Sequence, residues 1–220
     1  MCVFILEDLL LRCRVLSEQG AREEIAYGIN LPHVWPNGKR KTIDLAVGVP
    51  GVLARDPGNV PGIRKAASLV RVLVSCEQKT VMTEHGKSEP RLFDELGPSH
   101  EIVHQGSTGA IAAGITVVNI ADTFASPLRQ ASGGKLKVPK HKQPQVTESM
   151  VQHLRGLPIR DQVGQVGFDA YCTLVVECDN LSSAALWTAP PAPQPGDRDH
   201  YDSFMERIAR FYSERFLSIR

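Results

Sequence analysis

Residues 70–79 read V-R-V-L-V-S-C-E-Q-K, a hydrophobic β-type run that ends in an acid and a base two residues apart. Side chains alternate faces along a strand, so Glu77 and Lys79 are expected on one face and Gln78 on the other. Upstream, residues 42–49 (T-I-D-L-A-V-G-V) read as a second strand with Asp44 near its start. If the two strands pair, an aspartate, a glutamate and a lysine meet at one edge of a sheet. Two carboxylates so placed repel unless a cation neutralises them, and Mg²⁺ favours such oxygen ligands together with water and phosphate. The expectation is a site for phosphodiester chemistry.

The flanking segments supply the rest of the layout. Leu6, Leu9, Leu10, Cys13 and Leu16 recur at helical spacing over residues 3–18, with Gly20 expected to interrupt that helix. A further turn over residues 21–27 carries Glu23 and Glu24, read either as solvated helix charges or as acids that approach the metal site. Pro36-Asn37-Gly38 suits a tight turn that feeds the Asp44 strand and leaves Lys39, Arg40 and Lys41 at its start. Residues 50–62 read as a Gly/Pro loop and residues 63–69 as a short helix. Ser88-Glu89-Pro90 makes a helix start, Gly97-Pro98 breaks that helix, and a second one runs from Ser99 through Gln105. Residues 115–120 and 171–177 read as buried strands, and residues 147–155 as a helix. Residues 129–142 form the strongest local positive patch, and residues 189–196 a proline-rich connector. The stripe Tyr201, Phe204, Met205, Ile208, Phe211, Tyr212 and Phe216 is expected to serve as core or subunit contact.

A chain of 220 residues with 42% hydrophobic and 22% charged residues fits one well-buried domain and excludes wholesale disorder. A formal net charge of +1 neither announces nor excludes a nucleic-acid substrate, because a basic cleft can be offset by catalytic acids. The five cysteines are odd in number and lack a C-x-x-C pair, which points to reduced thiols and a cytoplasmic location. The amino terminus lacks the pattern of a signal peptide, and no apolar run approaches the length of a membrane span.

Taken together, a helix, a strand bearing Asp44, a strand ending in Glu77-Gln78-Lys79, a helix and another strand resemble the PD-(D/E)XK nuclease superfamily, in particular its restriction-endonuclease-like members. One departure is Ile43 where that motif has proline. The resemblance implies an α/β fold with a restriction-endonuclease-like core, a central mixed β-sheet flanked by helices. It implies a single nuclease domain over residues 1–220, with a catalytic core over 1–125 and a family-variable elaboration over 126–220 that ends in the amphipathic helix. The implied activity is Mg²⁺-dependent endodeoxyribonuclease hydrolysis of DNA phosphodiester bonds, as in a type II restriction endonuclease. Asp44 and Glu77 would bind the metal with the backbone carbonyl of Gln78, Lys79 would orient or help deprotonate the attacking water, and Glu24 would be an accessory acid. Lys39, Arg40, Lys41, Lys135, Lys137, Lys140 and Lys142 would contact phosphates of double-stranded DNA. A homodimer is implied, with the carboxy-terminal aromatic helix one contact surface.

A rival motif is literal. His100-Glu101-Ile102-Val103-His104 matches H-E-x-x-H, the helical zinc pair of metallopeptidases with its glutamate as general base. Gly97-Pro98 precedes it closely, Ala110 stands where the extended motif has its third histidine, and Glu148 is the remaining third-ligand candidate. A non-catalytic nuclease-fold DNA-binding protein is a further alternative, with Glu77 and Lys79 as an ordinary cross-strand ion pair. Asp197 to Asp202 reads as a charged helix amino terminus.

Overall fold

The computed structural model describes residues 1–126, 138 and 140–218. The stretch 70–79 is the second half of β3 (Arg64–Val81), which pairs antiparallel with β2 (Arg40–Leu53) and parallel with β4 (Ile111–Asn119). Strand β1 (Ala26–Val34) lies outside β2, and β5 (Ala170–Glu177) and the short β6 (Ala185–Leu186) extend the sheet beyond β4, giving the order β1-β2-β3-β4-β5-β6. All nine residues of β4 are buried, so this central strand has apolar neighbours on both faces, as parallel strands covered by crossover helices do. The parallel pairs β3/β4 and β4/β5 are joined through α3 (His85–Gly106) and α4 (Gln145–Leu154). No helix among the described residues is long and apolar enough to cross a membrane.

Helices α1 (Cys2–Arg12), α2 (Arg14–Ala21) and α5 (Tyr201–Arg215) cover one face, and α3 and α4 cover the other. Leu6, Leu9 and Leu16 share one core with Phe204, Ile208, Phe211 and Tyr212, so residues from both sides of position 125 fold around the same apolar centre. Each fully buried side chain of this size stabilises by about 1.5–3 kcal/mol. The aromatic stripe is therefore core within its own chain, the first of its two expected roles. Its buried polar tip is satisfied: Tyr212 Oη donates to Gln19 Oε1 at 2.7 Å, and Gln19 Nε2 donates to the Phe216 carbonyl at 2.7 Å.

Five local readings change, the first being that residues 50–53 of the expected loop are the end of β2, paired with β3. The first helix breaks at Cys13, whose backbone is extended, while Gly20 lies inside α2. Residues 26–27 begin β1 and do not continue a helical turn; Pro32 is tolerated there because β1 sits at the sheet margin. Residues 64–69 are strand, since β2 and the start of β1 both supply partners and pairing outweighs the helical propensity of Arg-Lys-Ala-Ala. Finally, α3 runs unbroken through Gly97 and Pro98.

The β1–β2 hairpin changes face midway. Ile29 and Leu45 pack toward α1 and α5, whereas Leu31 and Ile43, two residues farther out, join the core under α3. Between them lie Asn30, with φ of 49°, and Asp44. This twist turns the arm over the α3 face, where Trp35 at 2% exposure seats on Gly106. A Cβ at Gly106 would lie 2.4 Å from the Trp35 ring. Gly106→Ala is expected to cost about 1–3 kcal/mol as overpacking, read as a lowered midpoint in urea denaturation.

Candidate active site

The β2–β3 ladder ends at Leu45–Cys76, yet β3 continues beside β4 through Val81. From Glu77 onward the β2 side of β3 is an open edge, and the departing arm leaves a fork. Asp44 stands in its angle and takes over the lost pairing: its Oδ2 accepts the Gln78 N–H at 2.7 Å. A residue's own N–H and C=O leave an extended strand on the same side, so the Gln78 carbonyl also faces the fork. The Gln78 side chain lies on the other face, where Nε2 donates to Cys2 Sγ at 2.9 Å, and Cys2 Sγ donates to the Asp44 carbonyl at 3.3 Å.

Glu77 and Lys79 share a face, as strand alternation requires. Lys79 Nζ lies 3.0 Å from Glu77 Oε1, and Lys41 Nζ lies 2.9 Å from Glu77 Oε2. Helix α3 adds an acid absent from the sequence reading, Glu95, whose Oε2 is 3.2 Å from Lys79 Nζ while Oε1 is 2.6 Å from Arg91 Nε. Its only sequence signal is the i,i+4 Arg91/Glu95 pair, which does not tell which face of α3 meets the sheet. Burial opposes the charge on Lys79, but hydrogen bonds and attraction from Glu77 and Glu95 outweigh it and raise its pKa. Lys79 is thus an ammonium at neutral pH.

Burial raises the Asp44 pKa above the ordinary carboxylate value, and the nearby Glu77 charge raises it further, against the Gln78 N–H, Lys79 and Lys41. The donor set fits a hard divalent cation: two carboxylates and a strand carbonyl, with two ammonium groups already drawn onto the Glu77 oxygens. Among the described residues no group of three or more His, Cys, Asp or Glu side chains is placed to hold a metal, so water and substrate oxygens would complete the shell. Because a raised acid pKa makes its stabilising contribution at low pH and loses it as pH rises through the folded value, ionised Asp44 costs stability at neutral pH. Asp44→Asn is expected to match or exceed the wild-type melting temperature at pH 7, with the difference closing as pH falls below the ordinary carboxylate range; a thermal melt series reads both.

Other sequence-derived residues lie elsewhere. Glu24 is exposed, paired with Arg22 at 2.8 Å, and precedes the end of β1 remote from Asn30 and Asp44, so it is not brought to the fork. Lys39 donates to Gln105 Oε1 at 2.7 Å, Arg40 is exposed on the arm, and Lys41 is the Glu77 partner described above. Lys135 and Lys137 lie outside the described residues. Lys140 and Lys142 are exposed beyond the carboxyl end of β4, at the opposite end of α3 from the arm tip.

The H-E-x-x-H histidines share one face of α3, with ring centres 6.0 Å apart. His104 Nε2 is 3.0 Å from Asp169 Oδ2, and His100, 2% exposed, packs edge-on against Phe168. Neither is free polar surface. Glu148 is exposed on α4, whose His153 meets Glu89 near the other end of α3. Asp169, fully buried, also accepts from Arg160, Arg215 and the Ala112 N–H. Burial opposes its charge, but bonds from His104, Arg160, Ala112 and Arg215 prevail and lower its pKa to about 2. At the start of α5, Arg155 pairs with Asp197 and Asp199, and His200 Nδ1 accepts the Asp202 N–H, the helix amino terminus expected from the sequence. All five cysteines are free.

No protein-family model, curated protein or solved structure matches the chain.

Proposed function

We propose that the chain is a Mg²⁺-dependent endodeoxyribonuclease with a restriction-endonuclease-like core, acting on double-stranded DNA in the manner of a type II restriction endonuclease. The observation that supports the reading is the fork where β2 leaves β3: Asp44 accepts the Gln78 N–H there, and Glu77 and Lys79 lie on the adjoining β3 residues, so acid, strand carbonyl and lysine occur together at one sheet edge. The strand order, with an antiparallel β1–β2–β3 meander followed by a helical crossover to β4, is compatible with it.

Asp44, Glu77 and the Gln78 carbonyl would hold Mg²⁺, which when bound polarises a phosphate oxygen and favours ionisation of water. Lys79, charged and fixed between Glu77 and Glu95, suits orienting the attacking water and countering charge on the phosphorus oxygens better than taking a proton. The water oxygen would bond to phosphorus as one ester P–O bond breaks, the water proton would leave to solvent, and the departing sugar oxygen would take a proton from solvent. Lys41 must release Glu77 on metal entry and is then available for a phosphate, alongside Arg40. Lys140 and Lys142, exposed near the amino-terminal end of α3, are further phosphate candidates.

The test is incubation of the purified chain with plasmid DNA, single-stranded DNA and RNA in Mg²⁺, Zn²⁺ or EDTA. Mg²⁺-dependent cleavage of duplex DNA abolished by EDTA is expected; DNA left intact in every condition overturns the reading.

A further inference from the structure

We propose that His85 and His141 form a two-nitrogen seat for a borderline divalent cation of the Zn²⁺ class, separate from the carboxylate fork and independent of the nuclease reading. His85 opens α3 and is 3% exposed. Its Nε2 lies 2.8 Å from the Asn119 carbonyl, which only accepts, so Nε2 carries the proton and Nδ1 is a bare lone pair. That Nδ1 is buried with no hydrogen-bond partner, and so is Nε2 of His141. The two rings are neighbours, with centres 5.6 Å apart and planes at 72°.

Two buried, unsatisfied imidazole nitrogens on neighbouring rings are costly unless a partner reaches them. An ion about 2.1 Å from each nitrogen would place two ring centres roughly 5–6 Å apart at near-tetrahedral angles, which matches the observed separation. The H-E-x-x-H pair has similar spacing but is not equivalent, because His104 Nε2 already faces Asp169.

The supporting shell is built as metal-binding imidazoles require, with the second ring nitrogen of His85 fixed by a carbonyl. That carbonyl also accepts from Gln143 Nε2 and Thr147 Oγ1, and the backbone N–H of His141 donates to the Asp122 carbonyl at 2.7 Å, which fixes the residue's position. Asp122 and Gln143 line an adjoining cleft of ≈ 470 Å³ whose walls include Glu177 and Asp179, an acidic approach for a cation. With two protein ligands the ion keeps water in its remaining positions, so binding is expected in the micromolar class and reversible. It would clip the first turn of α3 to the segment entering α4, across the carboxyl ends of β3 and β4, and stabilise the fold by mass action.

The test is zinc titration by calorimetry on the full chain, on His141→Ala and on His100→Ala, with Mg²⁺ as competitor. One Zn²⁺ per chain is expected, weakened at least about tenfold in His141→Ala, unchanged in His100→Ala and not displaced by Mg²⁺. An imidazole ¹⁵N spectrum of the unmodified chain should show His85 Nδ1 and His141 Nε2 shifting on zinc addition, a readout that needs no variant to fold. Absence of binding, binding retained in His141→Ala, or binding lost in His100→Ala overturns the proposal; the first result would make water the partner of the two nitrogens.

Discussion

Glu77→Gln is expected to lower Mg²⁺-dependent cleavage by about a thousandfold or more while leaving the chain folded. The substitution keeps the side chain's shape and removes the charge that Lys41 and Lys79 share at 2.9 and 3.0 Å. Loss of a group that stabilises transition-state charge costs about 10²–10³ in rate, and a metal ligand is worth several kcal/mol at about 1.4 kcal/mol per tenfold. The effect on stability is smaller. Lys79, 26% exposed, keeps Glu95 as partner, whereas Lys41, 15% exposed, loses the Glu77 charge. Because Glu77 and Lys41 are largely shielded, the expected penalty is about 2–3 kcal/mol, partway toward that of a fully buried pair and below the roughly 5–15 kcal/mol that typically holds a domain together. Single-turnover cleavage measured beside a thermal melt separates the two effects. Activity within tenfold of wild type would remove Glu77 from the chemistry.

The same fork shows what can be read along a chain and what cannot. Residues 70–79 and 42–49 disclose strands because alternation and β-branching are local, and their pairing brings Asp44 to the Gln78 N–H. What escapes is set by contacts between distant segments. Lys41 becomes the counter-ion of Glu77 through the twist at Asn30 and Asp44, which no single window of sequence encodes. Glu95 reaches Lys79 only because α3 continues past Pro98, where local composition argues for a break and Ser99 Oγ donating to the Glu95 carbonyl supports the turn. Residues 64–69 have helix-forming side chains and become strand because β1 and β2 offer hydrogen-bond partners. Glu24 shows the converse: a plausible acid by sequence order is carried away from the fork by the direction of β1.

The largest stability effect is expected at Asp169, which sits in an irregular segment with no periodic signal to mark it as buried. Its carboxylate collects Arg160 at 2.9 Å, Arg215 at 2.7 Å, His104 at 3.0 Å and the Ala112 N–H at 2.8 Å, joining α3, β4 and α5. Asp169→Asn preserves the shape and removes the charge, leaving Arg160, 1% exposed, without a counter-ion. Breaking a buried pair from one side costs about 3–5 kcal/mol, a large share of the 5–15 kcal/mol that typically holds a domain together. For a chain of this length that is a melting-temperature drop of roughly 6–20 °C. The pH dependence has a definite sign. A lowered carboxylate pKa contributes stability above its ordinary value of 3.8, and that contribution is lost as pH falls through about 2. Wild type should therefore lose stability steeply across that acid window, and Asp169→Asn should lack that part of the slope. Because His104 ties α3 to this hub and α3 carries Glu95, the variant should also loosen the grip on Lys79 and lower the cleavage rate at temperatures well below its melt. Urea titrations at neutral and acid pH test the charge argument directly. An Asp169→Asn midpoint equal to wild type at pH 7 would mean that Arg160 finds compensation elsewhere and that the hub is not what fastens α3 to the sheet.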